Sequence, residues 1–358
     1  MLDIYILNAD FEIVGVIDDY VSCIWRPSYS DVGDFELYLG ANKSLLDLLQ
    51  INRYIVRSID VSVNNGVNTY HNVMIIKNIS ISTEIDDGDH LTVTGRELKY
   101  LLHQRIIWSQ TNLTGKAENG IRRLVTENAI NPTDTKRKIP NLILGAVSGL
   151  TDSIDKQITG DPLDEAITNI CNTYGYGWEM YLENNHIVLI VYSGVNRSYN
   201  QTQRPYVIFS DDFENLYNTD YQLQTELYSN CTLIGGEGEG IDRIYTTIGT
   251  EFTGLNRYET FTDARDLSQN KDTNDEIPYN IYIELLKERG RESLAELSYT
   301  EGFSGEVLDT AFKLGVDFDL GDIVTVINSY GITKDVRVLS VIDSYDESGH
   351  SIIPQFNI

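Results

Sequence analysis

Cysteine is scarce: Cys23, Cys171 and Cys231 are the only three in 358 residues, an odd total with no Cys-x-x-Cys spacing. That argues against a disulfide framework and for buried, inert thiols in a protein made in a reducing cytosol. Histidine is nearly as rare. None of His71, His90, His103, His186 and His350 sits in a His-Glu-x-x-His or His-x-His pattern or at ligand spacing from a cysteine, so zinc is unsupported. Basic charge is also short, with 27 Lys and Arg against 54 Asp and Glu and a formal net charge of −27. A surface that grips nucleic-acid phosphates needs clustered cations, and an anionic membrane repels such a chain. Long apolar runs are missing too. The longest, His186–Tyr192, has strand length, and nothing approaches the roughly 20 residues of a spanning helix. The N-terminus carries Asp3 where a secretory signal needs basic residues. No membrane insertion is predicted.

What is present is aromatic and β-rich. Aromatic residues make up 10% and the apolar fraction is 41%, which argues for a folded chain rather than a disordered one. Short runs of Ile, Val and Tyr separated by Asn and Asp turns predict strands at 2–7, 11–17 and 22–26. Phe35, Leu37 and Leu39 alternate with Glu36 and Tyr38, the period-two signature of a half-buried strand. Further strands are expected at 53–59, at 177–182, 187–192, 206–209, 221–226, 232–236 and 241–247, and at 322–327, 336–345 and 352–356. A long hairpin is expected from 72–85 and 90–95, turned at Asp86-Asp87-Gly88-Asp89.

Helices are few. They are predicted at 43–50, at 96–103 just after Gly95, and at 114–128 with Thr114 as N-cap. Another starts at Asp161-Pro162, with Asp161 as N-cap and Leu163, Ile167, Ile170 and Cys171 on its apolar face, and ends at Tyr174-Gly175. The longest is expected from about Pro278 to Ser298, capped by Asp275 or Glu276. Ile281, Leu285, Leu294 and Leu297 would face inward, and Glu284, Lys287, Glu288 and Arg291 would form a solvated face. The fold class expected is α+β, mostly β, with barrel-like material at both ends and an α+β section between. The approximate divisions are residues 1–105, 106–205, 206–276 and 277–358, as discontinuous domains.

Catalytic, cofactor and metal residues are all expected to be none. No Gly-x-Ser-x-Gly, Walker loop or Gly-x-Gly-x-x-Gly at a strand-to-helix junction occurs. Gly235-Gly-Glu-Gly-Glu-Gly240 holds glutamates where phosphate would sit, so a hairpin tip or bulge explains it better. Asp86–Asp89, and Asp317 with Asp319 and Asp322, could offer oxygen ligands to calcium, yet neither matches an EF-hand loop. With 54 acids, some carboxylate pair at glycosidase spacing arises by chance.

Three segments taken together carry a resemblance. Trp25-Arg-Pro-Ser-Tyr29 is followed by Gly33-Asp-Phe-Glu-Leu37; Val93-Thr-Gly-Arg-Glu-Leu-Lys-Tyr-Leu-Leu-His-Gln-Arg-Ile-Ile-Trp108 comes next; then Phe303-Ser-Gly-Glu-Val307 and Phe318-Asp-Leu-Gly-Asp-Ile-Val-Thr-Val326. In order and spacing these resemble the tail hub (baseplate hub) proteins of long-tailed bacteriophages, a family of siphophage tail-tip proteins related to the N-terminal part of tail-associated lysins. The resemblance implies two β-barrel-like tube domains with small α+β insertions, and no enzyme activity. It also implies a homotrimeric ring in the virion tail tip, made in the host bacterial cytoplasm. The expected partners are other copies of the chain, a distal tail ring or tail tube protein, the tape-measure protein, and a tip fibre or spike. DNA would pass only in transit, and an acidic channel would let it slide without sticking. Because the chain ends soon after its last strand pattern, any receptor-binding or wall-degrading activity is expected on another polypeptide. A hub of a contractile tail or phage-derived bacteriocin is the second reading. A glycan-degrading or glycan-binding tail enzyme is the third.

Overall fold

The computed structural model describes residues 2–357 apart from 65, 85–87, 270–276, 299 and 308–310. Its largest sheet has thirteen strands. From one edge the order is Ile13–Ile17, Ile4–Leu7, Tyr54–Arg57, Met74–Glu84, Gly88–Glu97, Asp34–Gly40, Ser22–Arg26, Thr333–Asp346, Gly349–Asn357, Thr300–Val307 and Leu216–Gln224. Ile323–Ile327 pairs with Thr333–Asp346 and, in parallel, with Ile208–Ser210. The two ends of the chain meet inside this sheet, where Trp25 lies opposite Asp343 and Cys23 opposite Tyr345.

One sheet therefore serves two cores. In the first, Phe35, Leu37 and Leu39 point inward with Ile4, Ile6, Trp25, Ile55, Met74 and Val93. Helix α1 (Lys43–Leu48) packs on this core through the half-buried Leu45, Leu46 and Leu48. The Asn42 side chain starts that helix by accepting the Leu45 N–H at 2.9 Å. Among the described residues no second sheet lines this core, and the strands of this barrel-like half bury their apolar side against one another and α1. The second core gathers Phe209, Leu216, Phe303, Phe318, Val324, Val336 and Phe356. Phe318 and Phe312 meet Phe209 edge to face, with ring centroids 5.3 and 5.7 Å away.

Between these halves lies an α+β section. Helices α2 (Ala117–Val125) and α3 (Leu163–Tyr174) share a core with a five-stranded sheet. Strand His186–Tyr192 of that sheet is almost continuously apolar, as burial on both faces requires. A smaller three-stranded sheet, Tyr245–Ile248, Cys231–Gly235 and Glu259–Asp263, packs one face on α4 (Tyr279–Glu296). Gly290 of α4 allows that approach, since a Cβ there would lie 2.7 Å from Ile234. The fold is α+β and mostly β, as expected.

Several local expectations are corrected. No α-helix spans 96–103: the strand continues to Glu97 and only a 3-10 segment, Leu98–Gln104, follows. Gly95 is therefore not a strand-to-helix hinge. It sits inside the strand beside the bulge between Ile76 and Asn78, and a Cβ on it would come within 1.9 Å of the Ile75 carbonyl oxygen. Thr114 is a strand residue in Thr111–Lys116, and α2 begins after Lys116. Beyond Val125 the helix widens into a π-turn, Thr126–Ile130. Asp161 does not cap α3; Pro162 holds that position, while the Asp161 carbonyl accepts the Ile107 N–H. Gly175 ends α3 in the left-handed conformation, φ 68°, as its place predicts. In α4, Ile281 faces solvent and Tyr282, Leu285 and Leu286 face inward, so the apolar stripe is rotated from the expected one. Glu288 is buried, not solvated. The expected cap residues Asp275 and Glu276, and the turn residues Asp86 and Asp87, lie outside the described residues.

Candidate assembly site

The motif segments that stood apart in sequence meet around Tyr29. Its ring is 1% exposed and lies between Gly177 and Gly321, where a Cβ on either glycine would fall 2.1 Å from a ring carbon. The Tyr29 hydroxyl donates to the Gly175 carbonyl at 3.1 Å and accepts the Gly194 N–H at 3.0 Å. Arg337 stacks over the same ring at 5.6 Å and donates to the Gly321 carbonyl at 2.6 Å. Next to it, the Trp178 indole donates to the Ser30 carbonyl at 2.6 Å.

Two buried charges finish this junction. The Lys99 ammonium donates to the Ser28 and Asp31 carbonyls at 2.5 and 3.0 Å and lies over Trp178 at 5.3 Å. Glu97, 3.3 Å from Lys99, accepts the Gly33 N–H at 2.9 Å. Burial raises the Glu97 pKa, with Lys99 and the Gly33 N–H opposing that shift. The loop after Tyr29 is thus fixed by Glu97, the last residue of strand Gly88–Glu97, and by Lys99 just beyond it. Asp322, of the Leu-Gly-Asp turn, accepts the Val195 N–H and the Arg197 Nε at 2.8 and 2.7 Å.

A second pin ties the two ends of the chain. Arg57, 3% exposed in its side chain, bonds Asp60 at 2.6 Å and Asp343 at 2.5 Å and lies over Trp25 at 5.3 Å. Burial works against its charge, but the two carboxylates outweigh burial and raise its pKa. His350 meets the other Asp343 oxygen at 2.8 Å. Where the barrel-like halves approach the central sheet, His71 contacts Glu179 at 2.6 Å. That hydrogen bond raises the His71 pKa, while burial opposes it. Nearby Asp319 is raised by burial, with Asp322 and Glu179 adding to the shift.

These groups bond one another and the backbone across the junction. Asp317 and Asp319, tested above as calcium ligands, accept the backbone N–H groups of Lys313 and Leu320. Among the described residues no group of three or more His, Cys, Asp or Glu is placed to hold a metal ion. The Gly235–Gly240 segment joins two antiparallel strands as a hairpin connection. Cys23, Cys171 and Cys231 are buried free thiols, and burial pushes the Cys23 pKa up to about 12. A cleft of about 360 Å3 opens beside Tyr29, lined by Asn172, Gly175, Glu292, Glu296 and Arg337. Glu292 there is paired with Lys156, and Arg337 is spent on Gly321. Among the described residues no helix is long and apolar enough to cross a membrane.

The surface is where contact chemistry shows. Strand Ile13–Ile17 ends the large sheet, has no second neighbour among the described strands, and exposes Ile13, Val14 and Val16. Its run Ile-Val-Gly-Val-Ile has no charge and no proline, so only its shortness, the bulge at Ile6–Leu7 opposite it and Leu48 of α1 against Gly15 protect this edge. The small sheet likewise exposes Leu233, Tyr245 and Phe261 on the face away from α4. Arg243 lies 5.6 and 5.3 Å from the two ring centroids. Sequence reasoning missed the roles of Arg57 and Lys99, although each is a lone cation in an apolar run, Tyr54-Ile-Val-Arg57 and Leu98-Lys-Tyr-Leu-Leu102.

The family described as Siphovirus ReqiPepy6 Gp37-like protein matches residues 3–356. No curated protein matches. Among solved structures, the tail protein from Neisseria meningitidis is 16% identical with a TM-score of 0.60, over 100% of this chain and 96% of that one. The prophage MuSo2 43 kDa tail protein from Shewanella oneidensis is 12% identical with a TM-score of 0.58, over 99% and 98%. The prophage tail protein gp18 from Listeria monocytogenes is 13% identical with a TM-score of 0.51, over 99% and 94%. At these identities the likeness is one of fold, and it runs along the whole of each chain.

Proposed function

This chain belongs to the Siphovirus ReqiPepy6 Gp37-like family, and from that premise we propose that it is the structural hub at the distal tip of a phage tail. Three copies form a ring that joins a sixfold tail tube or distal tail ring to a threefold tip fibre or spike. The channel admits the tape-measure protein and then DNA. The observation that carries this reading is the single sheet whose N-terminal and C-terminal strands each bury a core of their own. Each copy brings two barrel-like units, so three copies offer six and can meet a sixfold ring on one side and a threefold partner on the other. The internal pins suit such a load: Tyr29 and Lys99 hold the sheet to the central section through Gly175 and Trp178, and Arg57 ties the N-terminal half of the sheet to its C-terminal half through Asp343.

The reading is structural rather than catalytic, because the buried ionisable groups described above are spent on backbone groups or on each other. The wall of the channel would be acidic, matching a chain of net charge −27, so that phosphates pass without binding. The mass of the purified chain in solution tests the oligomer. A trimer, or assembly on addition of a ring-forming tail protein, is expected. A chain that stays a monomer under both conditions and hydrolyses bacterial glycans would overturn the hub reading in favour of a tail enzyme.

A further inference from the structure

In a chain with twice as many acids as bases, most arginines are neutralised locally, as Arg26 is by Asp34, Arg197 by Asp322 and Arg289 by Asp266. Single arginines such as Arg53, Arg122 and Arg337 donate to backbone carbonyls instead, and at one place several such cations cluster. Arg105, Lys136, Arg137 and Lys138 lie together, and none of them forms an ion pair with a described carboxylate. The Arg105 Nε donates to the Arg137 carbonyl at 2.5 Å, and Arg137 donates in turn to the Ile106 carbonyl. Asp134, the acid nearest in sequence, accepts the Lys136 backbone N–H at 3.0 Å. The Arg137 guanidinium sits 4.2 Å from the ring centroid of Trp108. Trp108 is 60% exposed, and Ile106 beside it is 43% exposed. Burial lowers the Arg137 pKa and the like charge of Arg105 lowers it further, against a smaller opposing pull from Asp134.

We propose that this patch, with Trp108 and Ile106 at its centre and Arg105, Lys136, Arg137 and Lys138 around them, is a subunit contact that seats on an acidic face of a second copy of this chain. A tryptophan flanked by arginine is the composition of an interface hot spot. Backbone hydrogen bonds already hold the two arginines in place, so little freedom is lost on docking. Charge complementarity selects the occupant. Copies of net charge −27 repel one another unless cations of one face carboxylates of the next. The same field disfavours DNA, and one face of the Trp108 ring is already covered by Arg137, which leaves less for a base to stack on. This inference rests on the ring reading above.

The test uses the full chain and the double variant Lys136→Glu, Lys138→Glu, whose altered side chains are exposed and make no described hydrogen bond. Sedimentation velocity is run at about 50 mM and about 500 mM salt, with circular dichroism to show that both proteins fold. The expected result is a shift of the trimer toward monomer by about tenfold or more at low salt, shrinking at high salt. Zero-length carbodiimide cross-linking of mixed labelled and unlabelled wild-type copies should join Lys136 or Lys138 of one copy to an Asp or Glu of another. If the wild type trimerises and the variant does so equally well, the patch proposal fails and the ring stands. A wild type that is monomeric at both salts overturns the patch and the ring together. Should the variant keep the trimer and lose binding to a short DNA duplex read by fluorescence anisotropy, the patch is a nucleic-acid site and the proposal is overturned.

Discussion

Tyr29 and Arg57 each join segments far apart along the chain, and their environments leave little room for change. A Cβ at Gly177 would sit 2.1 Å from the Tyr29 ring, so Gly177→Ala must push that ring or its own strand aside. We expect a loss of about 1–3 kcal/mol in urea unfolding, in the range of other overpacked cores. Arg57→Ala would leave Asp60 and Asp343 buried without their cation. The expected cost is about 3–5 kcal/mol, and a loss below about 1 kcal/mol, the level of an exposed pair, would show that water reaches the site. His71 adds a pH dependence. Its folded pKa is raised by the bond to Glu179, so its contribution is complete below the ordinary histidine value and fades as pH rises through the folded one. The gap in melting temperature between wild type and His71→Gln should therefore be wider at about pH 6 than at about pH 8. An equal gap at both would remove His71 from the account.

At the scale of elements, the period-two strands were plain in the sequence because one face is buried and the other wet, as in Asp34–Gly40. Strands with weaker alternation were not. Val67-Asn-Thr-Tyr70 and Thr111-Asn-Leu-Thr-Gly-Lys116 carry polar residues throughout and owe their pairing to neighbours. Helix α4 shows a similar limit. Glu288 looked like a solvated residue by spacing, yet the Tyr174 hydroxyl donates to it at 2.8 Å and Arg291 pairs with it. Only the fold brings Tyr174 there. The uncharged edge Ile13–Ile17 also makes a prediction. Val14→Lys should change unfolding free energy by no more than about 0.5 kcal/mol, as Val14 is exposed. It should also reduce light scattering by concentrated isolated chain, because a charged edge resists strand addition. Unchanged scattering would mean that this edge is already covered in the free protein.

For the whole molecule, the order of the motifs carried more than any one of them. Trp25–Leu37, Val93–Trp108 and Phe318–Val326 each read as local structure, and they converge because Tyr29, Lys99 and Gly321 meet at one junction. No sequence period could announce that meeting, and the resemblance rested on the order and spacing of the segments alone. The assembly surface was less legible, since exposure of Trp108 or of Val14 follows from which strands and turns happen to lie over them. In the proposed ring the charge of −27 would bear on two contacts, a channel wall that DNA slides along and a subunit joint that needs cations. The most direct test of the hub account is a density map of the assembled tail tip. It predicts three copies of this chain in one ring at the distal end, around a channel lined by carboxylates. Copies repeated along the length of the tube, in place of such a ring, would contradict it.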